Sequence, residues 1–426
     1  MMMVGLALLV VCPILAQQTP KPKPGHTATV MLATPVPMPP LPDDVNMAMN
    51  DPDKFAWVLF ERVNHLAATQ PVMKGVKMNN AVFETWADDG LTFPTCPNPK
   101  NPPKWPATAE EASPKHFVPS LKIRIHNTLV GTKIKELGMT ITGVAPEIVA
   151  PSAPGEPIEE VRRNKESFDF IISNNLWYQE GLAGTFAKGA TLTFPIPAIE
   201  VKANWVKIDP KDKAKYHWNW EPVTGEYYGM VAMHIISKTI PNWTWQTFEW
   251  QDNPGRCDYM GCKDSFGANP PYLPPNPKLG GQYTSTPTQQ LLDLFKQLGA
   301  TPQDIAEFTR YRLKGTQLDF VDPTGQTILL GNSVTEDGFV RGSSCITCHS
   351  QAGFDGGGNP NPTTGFTSYG QSLRGSPDPM WMWDTSVNPP QMAYMQADFV
   401  WAVFRANCAG INPQICQKKA SCPVPK

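Results

Sequence analysis

Proline occupies 46 of 426 positions, about twice its usual share, and it recurs along the whole chain. Each proline removes a backbone donor and disturbs the interior of a helix or central strand. Such a sequence is suited to short elements joined by irregular loops, and poorly suited to a long bundle or a doubly wound sheet. A core is still within reach, because 41% of the residues are hydrophobic and 13 Trp and 19 Phe are present. The length suggests two domains, with room for a third. With a net charge of -2 and no long run of one sign, nothing points to a nucleic-acid partner.

The start of the chain bears on compartment. Met1 to Leu15 is almost wholly apolar, Pro13 interrupts it, and Ile14-Leu15-Ala16 before Gln17 is an acceptable cleavage site, so residues 1–16 read as a signal peptide. About 15 apolar residues are too few to span a bilayer comfortably, and a membrane-tethered N-terminus stays as the alternative. No other stretch approaches spanning length, so the mature chain is expected to have no transmembrane span and to be periplasmic or extracellular. Residues 17–50 are Pro-rich and read as a tether. Setting aside Cys12, Cys345 and Cys348, six cysteines remain: Cys96, Cys257, Cys262, Cys408, Cys416 and Cys422. In an exported chain they read as disulfides, with Cys257–Cys262 and a pair within the C-terminal trio as the short-range pairings.

Residues 51–280 are expected to form a β-rich region of unknown function. Apolar spacing predicts a helix over Phe55–Leu66 and a short element around Ala81–Trp86, and the Pro- and Lys-rich residues 94–119 read as a long surface loop. Alternation predicts strands at Thr140–Val144, Phe168–Ile172, Thr191–Val201 and Tyr227–Lys238. The cluster Trp218, Trp220, Trp243, Trp245, Phe248 and Trp250 reads as packing rather than a ligand platform. Pro254–Pro287 reads as a domain boundary. Helices are predicted over Thr286–Leu298 and Pro302–Leu313, the second capped by Thr301 with Pro302 at its first position. A turn follows at Asp322-Pro-Thr-Gly325, and Met392–Ala406 has the pattern of an amphipathic aromatic helix.

The motif that carries chemistry is Cys345-Ile-Thr-Cys348-His349, the attachment signature of a c-type haem. On one helical turn, residues three and four apart share a face, so two thiols can bond the two vinyl groups of one porphyrin while His349 serves as axial iron ligand. With 9 Cys and 7 His in the chain, random placement would produce only about 0.003 such motifs. A zinc half-site and a thioredoxin-like redox pair are the competing readings, but neither finds its usual sequence context here. The motif occurs once, so one covalently attached haem c is expected; Cys257 to Cys262 followed by Lys263 is a disulfide loop rather than a second attachment site.

On these residues, Thr286–Cys408 resembles a single cytochrome c domain, and the whole chain resembles the large exported bacterial monohaem cytochromes c. The resemblance implies a C-terminal mostly α-helical cytochrome c-like domain over 281–426, ending in a cysteine-bearing tail. With the irregular β-rich N-terminal region, which is read from alternation and in which the chain departs from the family, the expected fold class is α+β. The resemblance also implies a second axial Met. Met380, Met382, Met392 and Met395 lie in the window, with Met380 preferred. The β-rich extension adds His234 as an alternative second axial ligand. The preferred reading is an electron carrier that exchanges single electrons with a redox protein partner. The alternative is a haem enzyme for peroxide or small-molecule redox chemistry, with an open sixth iron site near His234, Lys238 or Glu249. A third, non-redox reading is a ligand sensor or structural haem module.

Overall fold

The computed structural model describes residues 44–112, 157–189, 191–279, 284–336, 340–361 and 375–416. The signal, most of the tether, the strand expected at Thr140–Val144, and Cys422 lie outside them. The helix expected at Phe55–Leu66 is present as α2 (Pro52–Asn64), after α1 (Asp44–Asn50). Two further helices, α3 (Lys165–Ser173) and α4 (Gln179–Lys188), precede the region expected to be boundary, and α5 (Gln289–Gln297) and α6 (Pro302–Phe308) follow it. Thr301 caps α6 as anticipated, accepting from the Asp304 amide while Asp304 reaches back to the Thr301 amide.

A seven-stranded antiparallel sheet organises the molecule. Its strands are β1 (Ala87–Asp88), β2 (Ile158–Arg163), β3 (Ile199–Ile208), β4 (Trp218–Glu221), β5 (Glu226–Ser237), β6 (Thr244–Trp250) and β7 (Tyr311–Gln317). They lie in the order β7-β6-β5-β3-β2-β1, with β4 also pairing with β5. Alternation sends Val201, Ala203, Met233, Ile235, Phe248 and Leu313 to one face. There they join a core with Trp57 and Phe60 of α2, Phe295 of α5 and Phe308 of α6. The Phe60 and Phe248 rings are 4.3 Å apart and Trp57 meets Phe248 edge-on at 5.1 Å, the tilted geometries that aromatic quadrupoles favour.

The opposite face is polar yet also covered. Its cross-strand rows read Glu200-Ile236-Trp245-Gln317, Lys202-His234-Thr247-Gly315 and Asn204-Ala232-Glu249-Arg312. Residues 330–336, 340–350 and 391–409 pack onto it, and a second apolar cluster forms around Trp245, Ile346, Phe354, Met395, Phe399 and Val403.

Three expectations are corrected. Among the described residues no mostly α-helical C-terminal cytochrome c-like domain is present. The leading helices α5 and α6 belong to the α2 side of the sheet, and Met392–Ala406 forms short strands and a 3-10 turn at Trp401–Arg405 instead of a helix. Asp398 within that run is held by Lys238 and by the Phe194 amide, and these long-range bonds override local helix preference. The division at 281 also fails: the described residues belong to one compact unit, because β7, downstream of the Pro-rich crossing, returns to pair with β6. Phe168–Ile172 is helical rather than extended; Asn164 caps α3 by accepting from the Ser167 amide, a start signal that outweighs the apolar run.

Cysteine pairing follows the short-range expectation. Cys257–Cys262 and Cys408–Cys416 are disulfides, and Cys96 is also disulfide-bonded. Among the described residues no helix is long and apolar enough to cross a membrane.

One buried ion cluster ties α6 to the sheet. His217 is fully buried, with Nε2 2.7 Å from Glu84 and Nδ1 2.5 Å from Glu307. Burial alone would lower its pKa, but the Glu84 charge and the bonds to both carboxylates outweigh that and raise it to about 9. The stability it contributes is therefore complete below about pH 6.5, the unfolded value, and is lost as pH rises through about 9. The contribution is on the order of 3 kcal/mol. Melting temperature should fall between pH 7 and 10, and His217→Gln should flatten that slope; an unchanged slope in the variant would assign the alkaline loss to other groups.

Candidate functional site

The sheet's polar face positions the cysteine motif. Gln317 on β7 donates to Ser344 Oγ at 2.8 Å and accepts from the Ile346 amide at 3.2 Å. Asn332 donates to Thr247 Oγ1, Ser333 donates twice to Glu249, and Thr335 donates to Asn204. Gly315 leaves room for this layer, since a Cβ there would sit 3.3 Å from Leu330 Cδ1. The bonds deliver the chain into α7 (Cys345–Ser350), a helix of 6 residues. Such a short helix is not stable in isolation, so the packing holds it.

Within α7 the three motif side chains occupy positions i, i+3 and i+4 of one helical face. Cys345 is buried and Cys348 half-buried, and neither is in a disulfide. Burial, followed by the Glu336 charge, pushes the Cys345 thiol well above its ordinary pKa, so it is a neutral thiol. His349 Nδ1 lies 2.8 Å from the carbonyl oxygen of Phe399. A carbonyl only accepts, so Nδ1 carries a proton, and in the neutral imidazole Nε2 is then the nitrogen that can ligate a metal. The Trp245 ring packs against the imidazole at 4.7 Å, and Trp401 Nε1 donates to the Cys348 carbonyl.

The donor atoms bear on the competing readings. Among the described residues, the trio of metal-donor side chains that converges within 4.8 Å is Glu180, Cys408 and Cys416. Those two sulfurs are in a disulfide, and Glu180 accepts from the Ala409 and Ile411 amides. Cys345, Cys348 and His349 do not converge in this way, as a zinc centre would require. Thioethers to a porphyrin rim and an imidazole beneath its centre need no such convergence.

The carbonyl that meets His349 sits on an unusual turn. Val400 donates back to the Ala397 carbonyl, and the two residues between, Asp398 and Phe399, have φ of +47° and +69°. Positive φ at both central positions is the signature of a type I′ turn, where Asn-Gly is the usual pair. The left-handed region costs about 1–2 kcal/mol per ordinary L-residue, so tertiary bonds must hold it.

The second-ligand residues are less converged. Met380 lies on the 3-10 turn Pro379–Met382 and is 55% exposed. Met382, on the same turn, packs its sulfur against Gly353, Met392 is half-buried and Met395 is buried. His234 is half-buried on β5, with Nε2 3.2 Å from Glu336 Oε1 but not aligned for a hydrogen bond. Glu336 lies beside His234 and its charge also acts on Cys345. The other two polar residues singled out in the sequence have internal partners: Lys238 pairs with Asp398 at 2.6 Å and Glu249 with Lys314 at 2.8 Å. Sequence reasoning missed Phe399, whose backbone oxygen leaves no trace in side-chain pattern. It also missed Asp398, although an acid inside the apolar run Met392–Ala406 was a signal.

Glu249 and Lys314 are both buried. Burial would raise the Glu249 pKa, but Lys314 and the Ser333 bonds hold it below the ordinary value. Glu249→Leu alone should cost about 3–5 kcal/mol by stranding a buried charge, and the double variant Glu249→Leu/Lys314→Met should recover much of that loss. Urea midpoints read both; equal loss in the single and double variants would contradict the pairing.

No family model, curated protein or solved structure matches this chain.

Proposed function

We propose that the chain is an exported c-type cytochrome that carries one haem on Cys345 and Cys348, uses His349 as axial ligand, and exchanges single electrons with a redox protein partner. The observation that carries this reading is the His349 Nδ1–Phe399 carbonyl bond. It orients the imidazole and raises its basicity, as expected of a metal-ligating histidine. It occurs on the same turn that presents two thiols three residues apart. When bound, haem supplies a one-electron iron couple whose potential depends on ligand identity and burial. The chain's own part would be to bind it covalently through Cys345 and Cys348 and to orient His349, against which Trp245 packs. The disulfides at Cys257–Cys262 and Cys408–Cys416 support an oxidising compartment, periplasmic or extracellular.

The exposure of Met380 keeps a second reading in view, a haem enzyme with an open sixth position. Optical spectra separate the two. An electron carrier should give a low-spin ferrous spectrum that carbon monoxide does not perturb, whereas rapid carbon monoxide binding to a high-spin species selects the enzyme. Met380→Leu and His234→Ala, examined one at a time, should identify the second ligand by loss of the low-spin spectrum. Cys345→Ala/Cys348→Ala should abolish haem staining on a denaturing gel, and retained stain would overturn covalent attachment at these cysteines.

A further inference from the structure

We propose that Lys238 and Asp398 form a latch that positions the Phe399 carbonyl against His349 and thereby sets the electron donation of His349 to the haem iron; the inference rests on the haem reading above. Asp398 and Phe399 are both in the left-handed region, and a bulky Phe there is a genuine outlier that local sequence does not favour. Asp398 is buried at 8% exposure and anchored by both oxygens, Oδ2 accepting from the Phe194 amide at 2.7 Å and Oδ1 from Lys238 Nζ at 2.6 Å. Lys238, at 6% exposure, also donates to the Pro241 carbonyl at 2.9 Å and lies 5.7 Å from the centre of the Trp243 ring.

Two more bonds fix the turn relative to the motif. The Ala397 amide donates to the Ala352 carbonyl, three residues beyond His349, at 2.8 Å, and Val400 closes the turn onto Ala397 at 2.9 Å. The residue made to adopt an unfavourable conformation is therefore the one whose oxygen meets Nδ1, and its neighbour Asp398 is held by partners about 160 and 204 positions away in sequence. An observed backbone outlier whose surroundings over-determine it, at a metal-ligand contact, is a sound basis for a functional assignment. Lys238 and Asp398 are positioning residues: they act through the carbonyl and the imidazole.

The test uses the haem-loaded protein and the variants Lys238→Met, Lys238→Arg, Asp398→Ala and the charge-neutral double Lys238→Met/Asp398→Leu. Haem stain and the Soret band check retention, spectroelectrochemical titration gives the reduction equilibrium, and proton NMR of the ferrous protein follows the His349 Nδ1–H resonance. With a loosened latch the Nδ1–H bond weakens and the imidazole donates less to ferric iron. The reduction equilibrium constant should then rise about tenfold, equivalent to 59 mV for one electron, and the Nδ1–H resonance should move upfield.

The double variant should keep that shift, because it removes both charges together, and Lys238→Arg should lie nearer to the unmutated protein than Lys238→Met. A constant within about twofold of the unmutated protein in Lys238→Met and in the double variant, with haem retained, overturns the latch. Should Asp398 variants fail to fold, the Lys238 pair decides alone, since it leaves the Asp398–Phe194 bond in place. Absence of haem from the unmutated protein is a separate outcome and removes the haem reading itself.

Discussion

Glu249 on β6 holds together groups that no local rule would join. It is fully buried, pairs with Lys314 on the neighbouring strand, and accepts from both the amide and hydroxyl of Ser333. A charge placed there must be compensated, so the chain after β7 has to return across the sheet and bring Ser333 to it. Asn332 on Thr247, Thr335 on Asn204 and Gln317 on Ser344 repeat the logic along adjacent rows. A polar sheet face covered by protein needs matched partners, and that requirement sets the register of the segment leading into Cys345.

The two faces of the sheet therefore do different work. The α2 face is apolar and joins helices more than 200 residues apart in sequence, α2 with α5 and α6, into one core. The opposite face combines polar matching with a second apolar cluster around Trp245, Ile346 and Phe399, and the proposed haem ligand His349 is oriented there. Short elements and many loops suffice because long-range bonds, rather than long helices, hold the site. In this arrangement frequent proline is tolerable: the loops are anchored by side chains and disulfides instead of continuous backbone ladders.

Much of the local structure was legible. Apolar periodicity located α2, Thr301-Pro302 located the start of α6, and the alternation in Tyr227–Lys238 located most of β5. The turn at Asp322–Gly325 is present, with Asp322 Oδ1 accepting from the Thr324 and Gln326 amides. The failures have specific causes. Asn164 outweighed the apolar run that suggested a strand at Phe168, Asp398 broke the helix suggested by Met392–Ala406, and the Pro-rich crossing proved to be a detour within one unit because β7 pairs back onto β6.

By itself the sequence determined the chemistry on offer: two thiols and an imidazole on one helical turn, and cysteines close enough along the chain to close small loops. These depend on residue identity and short spacing, and local geometry follows from both. Only the tertiary structure decided how His349 is held. Its acceptor is a backbone oxygen 50 residues away, an atom that every residue carries and that side-chain pattern therefore cannot mark. The conformation aiming that oxygen is locally unfavourable, so it exists only because Lys238 and the Phe194 amide, distant in sequence, reach Asp398 in the folded protein.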